Sequence, residues 1–401
     1  MLSRKTRKKL FAGLTAIVIC GTVLGGAGFL VARGLEVSFY EALASEYFGK
    51  PVRIQSAALS LLPSPAMQFN GVAIGSDQEL KATVVRAIPE ISTLFGEERR
   101  FSSMTIHGGT ISSDILGSIA GATGRAGSKM AVQRIEAHNV TIVDRSWTIS
   151  DMDVSAKIED ARGVSSIVLR DAGHTMMITL TAAPAGRTQF EINAQRIRPL
   201  GASFDLTDFD ARGIYGADEI NVEKFDGRVF DGVIRGTARM RLQSSAFAIA
   251  GSIEAKSMEL SKLAAGIFEP GQVSAQGRFS GAAASVDKLL AAPTIEMTYT
   301  IDKGTIHAFE ISRAVQGAEN LVGTTPMSAG SGTLQVNAGR ITVSGFRFKS
   351  GSIAATGSAS IDASGNLNGQ IGGELRTPGG TSRGGVALSG TLAKPSIART
   401  R

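Results

Sequence analysis

The side chains able to do chemistry are few and scattered along the 401 residues. The four histidines, His107, His138, His174 and His307, each stand singly in strand-like or turn contexts. No pair has the spacing that places two imidazoles on one helix face or in a zinc finger, so no metal site is expected. No strand–turn–helix elbow is read around a serine, which leaves Ser-His-Asp hydrolysis without a local anchor. The Gly49-Lys50 pair is followed by Pro51 and makes no phosphate loop. Gly121, Gly124 and Gly127 lack the spacing and strand–helix setting of a dinucleotide fingerprint.

One carboxylate arrangement approaches a ligand set. Asp208-x-Asp210-x-Arg212-Gly213 with Glu219 places acidic groups at the first, third and twelfth positions of a calcium loop. Arg212 stands where a ligand oxygen is needed, and an acidic turn between two strands is the expectation. Glu97-Glu98-Arg99-Arg100 is read as a solvated turn that neutralises itself. Catalytic residues, metals and cofactors are therefore expected to be none. Cys20 is the single cysteine, which forbids an intramolecular disulfide.

The charge distribution narrows the partners. Arg4, Lys5, Arg7, Lys8 and Lys9 supply most of the net +7, leaving +2 for the remainder of the chain. A balance so even presents no basic face for a row of phosphates, and nucleic acid is excluded as the expected partner. The five cations precede an uncharged, apolar run from Leu10 to Ala32. Its 23 residues are long enough to cross a hydrocarbon core as a helix. The positive-inside rule then makes residues 1–9 a cytoplasmic tail and 10–32 a single membrane span, with the rest of the chain translocated. Such a run exceeds the apolar region of a cleaved signal.

Residues 33–50 carry Val37, Tyr40, Leu43, Ala44, Tyr47 and Phe48 at helical spacings, ending at Gly49 and Pro51. This amphipathic helix either lies on the outer membrane surface or caps the first strand of the β region.

From residue 52 onward the apolar pattern changes to a period of two. Val72 and Ile74, Ile106, Val140 and Ile142, Phe190 and Ile192, and Ile220 and Val222 alternate with polar neighbours. The clearest stretch holds Leu334, Val336, Ile341, Val343, Phe346 and Phe348. Alternation gives each strand one apolar and one wet face. Asn70-Gly71, Asp226-Gly227, Asp231-Gly232, Ala338-Gly339 and Gly365-Asn366 read as turns. Short helices are expected within 114–122, 258–268, 285–292 and 309–317, and linkers at 121–128 and 378–385. Glycine is abundant, at 48 residues, and aromatic residues are only 6%.

The fold expected is mainly β: an elongated, curled antiparallel meander, forming a groove or trough, with a few short helices. Some 25 strands about 4.8 Å apart would curl along their length through twist. Residues 51–215 form an N-terminal β-groove segment and 216–401 a C-terminal one. The fifteen alternating residues just named are the expected lining of the groove.

With span, helix and meander in place, the sequence resembles the AsmA family of membrane-anchored periplasmic proteins. The resemblance begins at Gly49-Lys50-Pro51-Val52-Arg53-Ile54, Leu61-Leu62-Pro63-Ser64-Pro65 and Asn70-Gly71-Val72-Ala73-Ile74-Gly75. It continues at Ile91-Ser92-Thr93-Leu94-Phe95-Gly96 and Met104-Thr105-Ile106-His107-Gly108-Gly109. A second block runs from Phe225 to Gly232, through Leu260 to Phe268 and Asp302-Lys303-Gly304-Thr305-Ile306, to Ser389–Pro395. Such proteins are similar to the wider group of groove-shaped lipid-transfer proteins. The resemblance implies phospholipid or another envelope lipid as ligand, the inner membrane and outer-membrane assembly proteins as partners, and a role in outer-membrane lipid homeostasis or assembly. Two readings are carried forward: a lipid-binding conduit, and a non-enzymatic periplasmic scaffold.

Overall fold

The computed structural model describes residues 36–60, 65–76, 79–93, 99–112, 130–143, 148–159, 163–184, 187–216, 218–243, 246–263, 267–307, 309–391 and 394–400. The expected membrane span at 10–32, the basic residues before it, and the expected helix at 114–122 and linker at 121–128 lie outside the described residues. Among the described residues no helix is long and apolar enough to cross a membrane. The protein is mainly β, with 22 strands and few, short helices among those residues. The chain divides into two units, Met1–Ala172 and Gly173–Arg401.

The first unit opens with helix α1 (Val37–Phe48), closed by Gly49 in the left-handed region. Tyr40, Leu43 and Tyr47 are buried, and the Tyr40 ring meets Phe69 at 5.2 Å. Burial pushes the Tyr47 hydroxyl up to about 12. Strand β1 (Val52–Ser60) pairs with β2 (Ala66–Ile74), and its other edge faces α1. There Val52 N donates to Ser45 Oγ at 2.9 Å and Ile54 N to Glu41 Oε1 at 2.7 Å. Helix side chains thus occupy donors that an edge strand would otherwise offer to another chain. Of the two roles expected for this helix, capping the first strand is the one the contacts describe.

Strands β2, β3 (Leu80–Pro89) and β4 (Arg99–Ser112) follow as antiparallel neighbours. The meander then breaks. Both β5 (Met130–Val132) and β6 (Arg134–Val143) run parallel to β4. Parallel neighbours need a crossover in place of a tight hairpin. β7 (Thr148–Glu159) and β8 (Gly163–Asp171) restore antiparallel pairing. The expectation of an antiparallel meander is corrected at these two pairings of β4, the parallel ones among the described residues.

The second unit contains β9 (Met176–Ala183), β10 (Arg187–Ile197), β11 (Leu206–Tyr215), β12 (Glu219–Val229), β13 (Gly232–Gln243), β14 (Ala246–Glu259) and β15 (Gln272–Ala283). It continues with β16 (Thr294–Ile306), β17 (Thr325–Asn337), β18 (Arg340–Ser350), β19 (Ile353–Ile361), β20 (Leu367–Thr377), β21 (Gly380–Thr391) and β22 (Lys394–Thr400). Each pairs antiparallel with the next in sequence. Residues 215 and 216, where a boundary was expected, lie at the β11–β12 turn inside this unit. The helical expectations shrink to α2 (Leu260–Leu263), a 3-10 turn at Val286–Lys288 and α3 (Ile311–Gln316). Met258 and Glu259 end β14 instead.

The turns also sort themselves. Phe230-Asp231 and Ala338-Gly339 adopt positive φ at both positions, as a two-residue hairpin requires. Asn70-Gly71 and Asp226-Gly227 are not turns: they lie inside β2 and β12. Gly71 has a φ of +59° there, which glycine adopts without strain, and a Cβ on it would also stand 2.3 Å from Gln55 Cδ. Pro378-Gly379 is a tight turn, while 380–385, expected as linker, begin β21.

Other glycines hold aromatic rings. Phe190 lies directly opposite Gly213, Phe225 opposite Gly236, Phe279 opposite Gly251 and Tyr299 opposite Gly332. At the three phenylalanines a Cβ on the facing glycine would stand 2.8 Å from the ring. The missing side chain is what lets each ring lie down across the strand. A Cβ at Gly236 would also stand 2.0 Å from Ser252 O, so Gly236→Val should displace both Phe225 and the β14 backbone and lower stability by at least about 1–3 kcal/mol, as overpacking does. Urea unfolding of the variant beside the wild type measures this.

Candidate functional site

The site is assembled within the second unit by strands that are distant along the sheet. Strands β15 and β22 are separated by seven strand spacings, about 34 Å if the sheet were flat. Nevertheless Val273 of β15 and Pro395 of β22 line the same cavity of about 380 Å³. This part of the sheet must curl to bring them there. The floor comes from Tyr299, Ile301 and Ile306 of β16, Leu334 and Val336 of β17, and Ile341, Val343 and Phe346 of β18. Ala359 and Ile361 of β19, Leu367 and Ile371 of β20 and Leu388 of β21 continue the wall. Leu260 and Leu263 of α2, with Ile267, Phe268 and Phe309, complete it. Only the Tyr299 hydroxyl and Ser358 add polar side-chain atoms to this lining.

Burial grades along the strands. Leu334, Val336, Ile341 and Val343 are half-buried, whereas Met327, Phe346, Phe348, Ile353 and Ala355 are buried. The difference arises from α3, which fills the curl at the buried end. Ile311, Ala314 and Val315 pack into the core together with Phe309. The helix sits this close because β20 and β21 present Gly373 and Gly384. A Cβ at Gly384 would stand 2.0 Å from Ala314 O, and one at Gly373 would stand 2.9 Å from Ile311 Cγ1.

Thr325, at the start of β17, is fully buried. Its hydroxyl donates to Phe309 O at 2.5 Å and accepts from Ile311 N at 2.9 Å. That amide is one of the donors a helix start leaves unpaired, so one side chain ties the helix to the strand that follows it. Arg399 of β22 donates to Gly317 O at 3.0 Å at the helix's other end. A second closure crosses five strands, where Leu290 N, beyond β15, donates to Leu200 O, beyond β10, at 2.8 Å. Leu289 is buried beneath it with Ala238, Met240 and Ile249.

The fifteen expected lining residues fall into groups. Leu334, Val336, Ile341, Val343 and Phe346 line the cavity, and Phe348 belongs to the same buried cluster. Ile220 and Val222 pack instead with Ala238, Met240, Ile249 and Leu289. Phe190 is buried and Ile192 half-buried on β10. Val72, Ile74, Val140 and Ile142 are buried in the first unit, where Ile106 is half-buried. Period-two reading missed Tyr299, Phe309 and Leu260, because the first is amphipathic and the others lie outside regular alternation.

The chemistry-bearing groups are placed elsewhere. His107 and His138, read as solitary, stack across the parallel β4–β6 ladder with ring centroids 5.5 Å apart. His138 Nδ1 stands 3.4 Å from Asp153 Oδ1, and His307 Nδ1 lies 2.9 Å from Glu269 Oε1. Among the described residues no group of three or more His, Cys, Asp or Glu could hold a metal. Asp208 and Asp210 lie in strand β11, correcting the expected acidic turn, and Glu219 begins β12. Arg99 and Arg100, likewise expected in a turn, begin β4.

Gly380-Thr381-Ser382-Arg383-Gly384 has the outward spacing of a serine elbow that sequence reading passed over. It runs into strand β21, not a helix, and Ser382 is exposed. The carboxylates held well below their usual range have fixed partners. Glu254 is held at about 2 by its hydrogen bond from Arg235, with Lys256 adding to it. Glu259 is lowered by the Gly271 and Ser261 amides, and Glu374 by Arg376 and Arg383.

The chain matches no protein-family model, no curated protein and no solved structure. The cavity's own geometry is therefore what a functional reading rests on.

Because Thr325 satisfies two buried backbone groups, Thr325→Val leaves both unpaired at constant shape. A loss of about 2–3 kcal/mol is expected. Chemical denaturation measures it, and an unchanged midpoint would rule out the clamp.

Proposed function

We propose that the chain is a non-enzymatic, AsmA-like envelope protein that binds phospholipid or a related envelope lipid in the second unit. The observation that carries this reading is the cavity of about 380 Å³ lined almost wholly by hydrocarbon. That volume is within the range of small-molecule sites, about 300–1,000 Å³. An acyl chain placed there would gain about 0.8 kcal/mol for each CH₂ taken from water. Walls of one chemical kind hold such a chain without fixing its position along its length, which suits carriage more than catalysis.

The remainder of the proposal comes from the N-terminal sequence. Residues 10–32 anchor the chain in the inner membrane, the basic tail stays in the cytoplasm, and the β units stand in the periplasm. From there the protein contributes to lipid transport or outer-membrane assembly. The half-buried rim at Leu334, Val336, Ile341 and Val343 is the entry for the lipid tail, since α3 occupies the other end.

The test is to purify the full chain in mild detergent, extract it with organic solvent and identify lipids by mass spectrometry. Stoichiometric phospholipid is expected. Val336→Trp, which fills the cavity from its half-buried end, should reduce bound lipid about tenfold, equivalent to about 1.4 kcal/mol. Its thermal melt should remain close to wild type. A folded wild-type chain free of lipid would overturn the reading.

A further inference from the structure

One polar atom in the cavity floor is left unsatisfied by the protein. Tyr299 lies on β16 where two apolar clusters meet, and packs against both. Gly332 faces it directly across the β16–β17 ladder. A Cβ there would stand 2.5 Å from the phenolic Oη, so the glycine is what allows the ring to lie in this position. Phe346 supports the ring with centroids 6.4 Å apart.

No hydrogen bond to Oη is found among the described residues. Burial alone raises its ionisation well above the ordinary tyrosine range, with no hydrogen bond contributing. The rest of the lining supplies no partner: every other side chain is hydrocarbon except Ser358, which is exposed. Tyr299 is half-buried, and tyrosine hydroxyls drawn out of water ordinarily find a partner. A phenol held in place over a glycine, inside an apolar cavity and with no protein acceptor, is arranged to donate to something the cavity receives.

We propose that Tyr299 is the ligand-recognition residue of this cavity, its hydroxyl donating a hydrogen bond to a carbonyl or carboxylate oxygen at the head of an acyl chain. The inference rests on the lipid reading above and narrows it. The ligand must carry an acyl oxygen, either the ester of a membrane lipid or the carboxylate of a free fatty acid. The hydrocarbon walls contribute affinity, and Tyr299 discriminates an acyl compound from a plain hydrocarbon.

The experiment uses the full chain held in amphipol, with 1,8-anilinonaphthalene sulfonate displaced by oleate, methyl oleate or 1-octadecene. Tyr299→Phe keeps the ring and removes one atom, and matched thermal melts establish that it folds. Wild type is expected to bind at least one oxygenated compound about three- to tenfold more tightly than octadecene. In Tyr299→Phe that preference should vanish while octadecene binding stays the same. Loss confined to methyl oleate assigns the ester, and loss confined to oleate assigns the free acid; either supports the proposal. An equal loss for all three would reduce Tyr299 to a packing residue and overturn it. No loss for any would mean that the hydroxyl serves water alone, which also overturns it. Failure of wild type to bind all three would instead overturn the lipid reading on which it rests.

Discussion

A strand with one apolar face cannot leave that face in water, and the second unit sets fourteen such strands side by side. A flat sheet would expose the whole surface. Twist and curl bring distant strands to face one another across a shared interior, which the joint lining by Val273 and Pro395 records. Curling alone does not fill the interior. α3 fills one part, and Leu289 beneath the Leu200–Leu290 link fills another. What neither fills is the cavity. It is the remainder of a covering problem solved in pieces, and its walls are apolar because they were strand faces first.

The ring-over-glycine pairs belong to the same problem. A curled sheet crowds side chains on its concave face, and an aromatic ring standing upright would occupy the interior. Phe190, Phe225, Phe279 and Tyr299 lie down because the residues opposite have no Cβ. High glycine and low aromatic content are thus linked. Among these pairs Tyr299 differs in bringing a hydroxyl into the concave face.

The strand pattern was legible because alternation is local. From Leu334 to Phe348 the period of two, interrupted at Ala338-Gly339, marked both strands and their hairpin, and its apolar residues as far as Phe346 do meet at the cavity. The same reasoning failed wherever the partner was remote. His107 and His138 meet only because a crossover sets β6 parallel to β4, and neither residue's neighbours encode that. Asn70-Gly71 carries a turn's composition, but both residues lie inside β2, with Gly71 at a φ of +59°. Phe309 and Ile311 look like any short helix start. Their importance comes from Gly373 and Gly384, more than sixty residues later in the chain.

The placement of α3 bears most directly on function. Strands β16 and β17 are hydrogen-bonded neighbours, and two residues would suffice to join them. Residues 307–324 intervene instead, and α3 crosses to β20 and β21 before the chain returns at Thr325. A sheet that needed only to cover itself would gain from more such filling, since each further apolar side chain would displace water from the same walls. The excursion stops short. Ile311, Ala314 and Val315 pack the buried end, while the walls from Leu334 to Val343 remain half-buried. The curl of the strands encloses the interior, and the length of this one insertion sets how much of it stays open. Gly373, Gly384 and Thr325 fix the helix where that space is preserved.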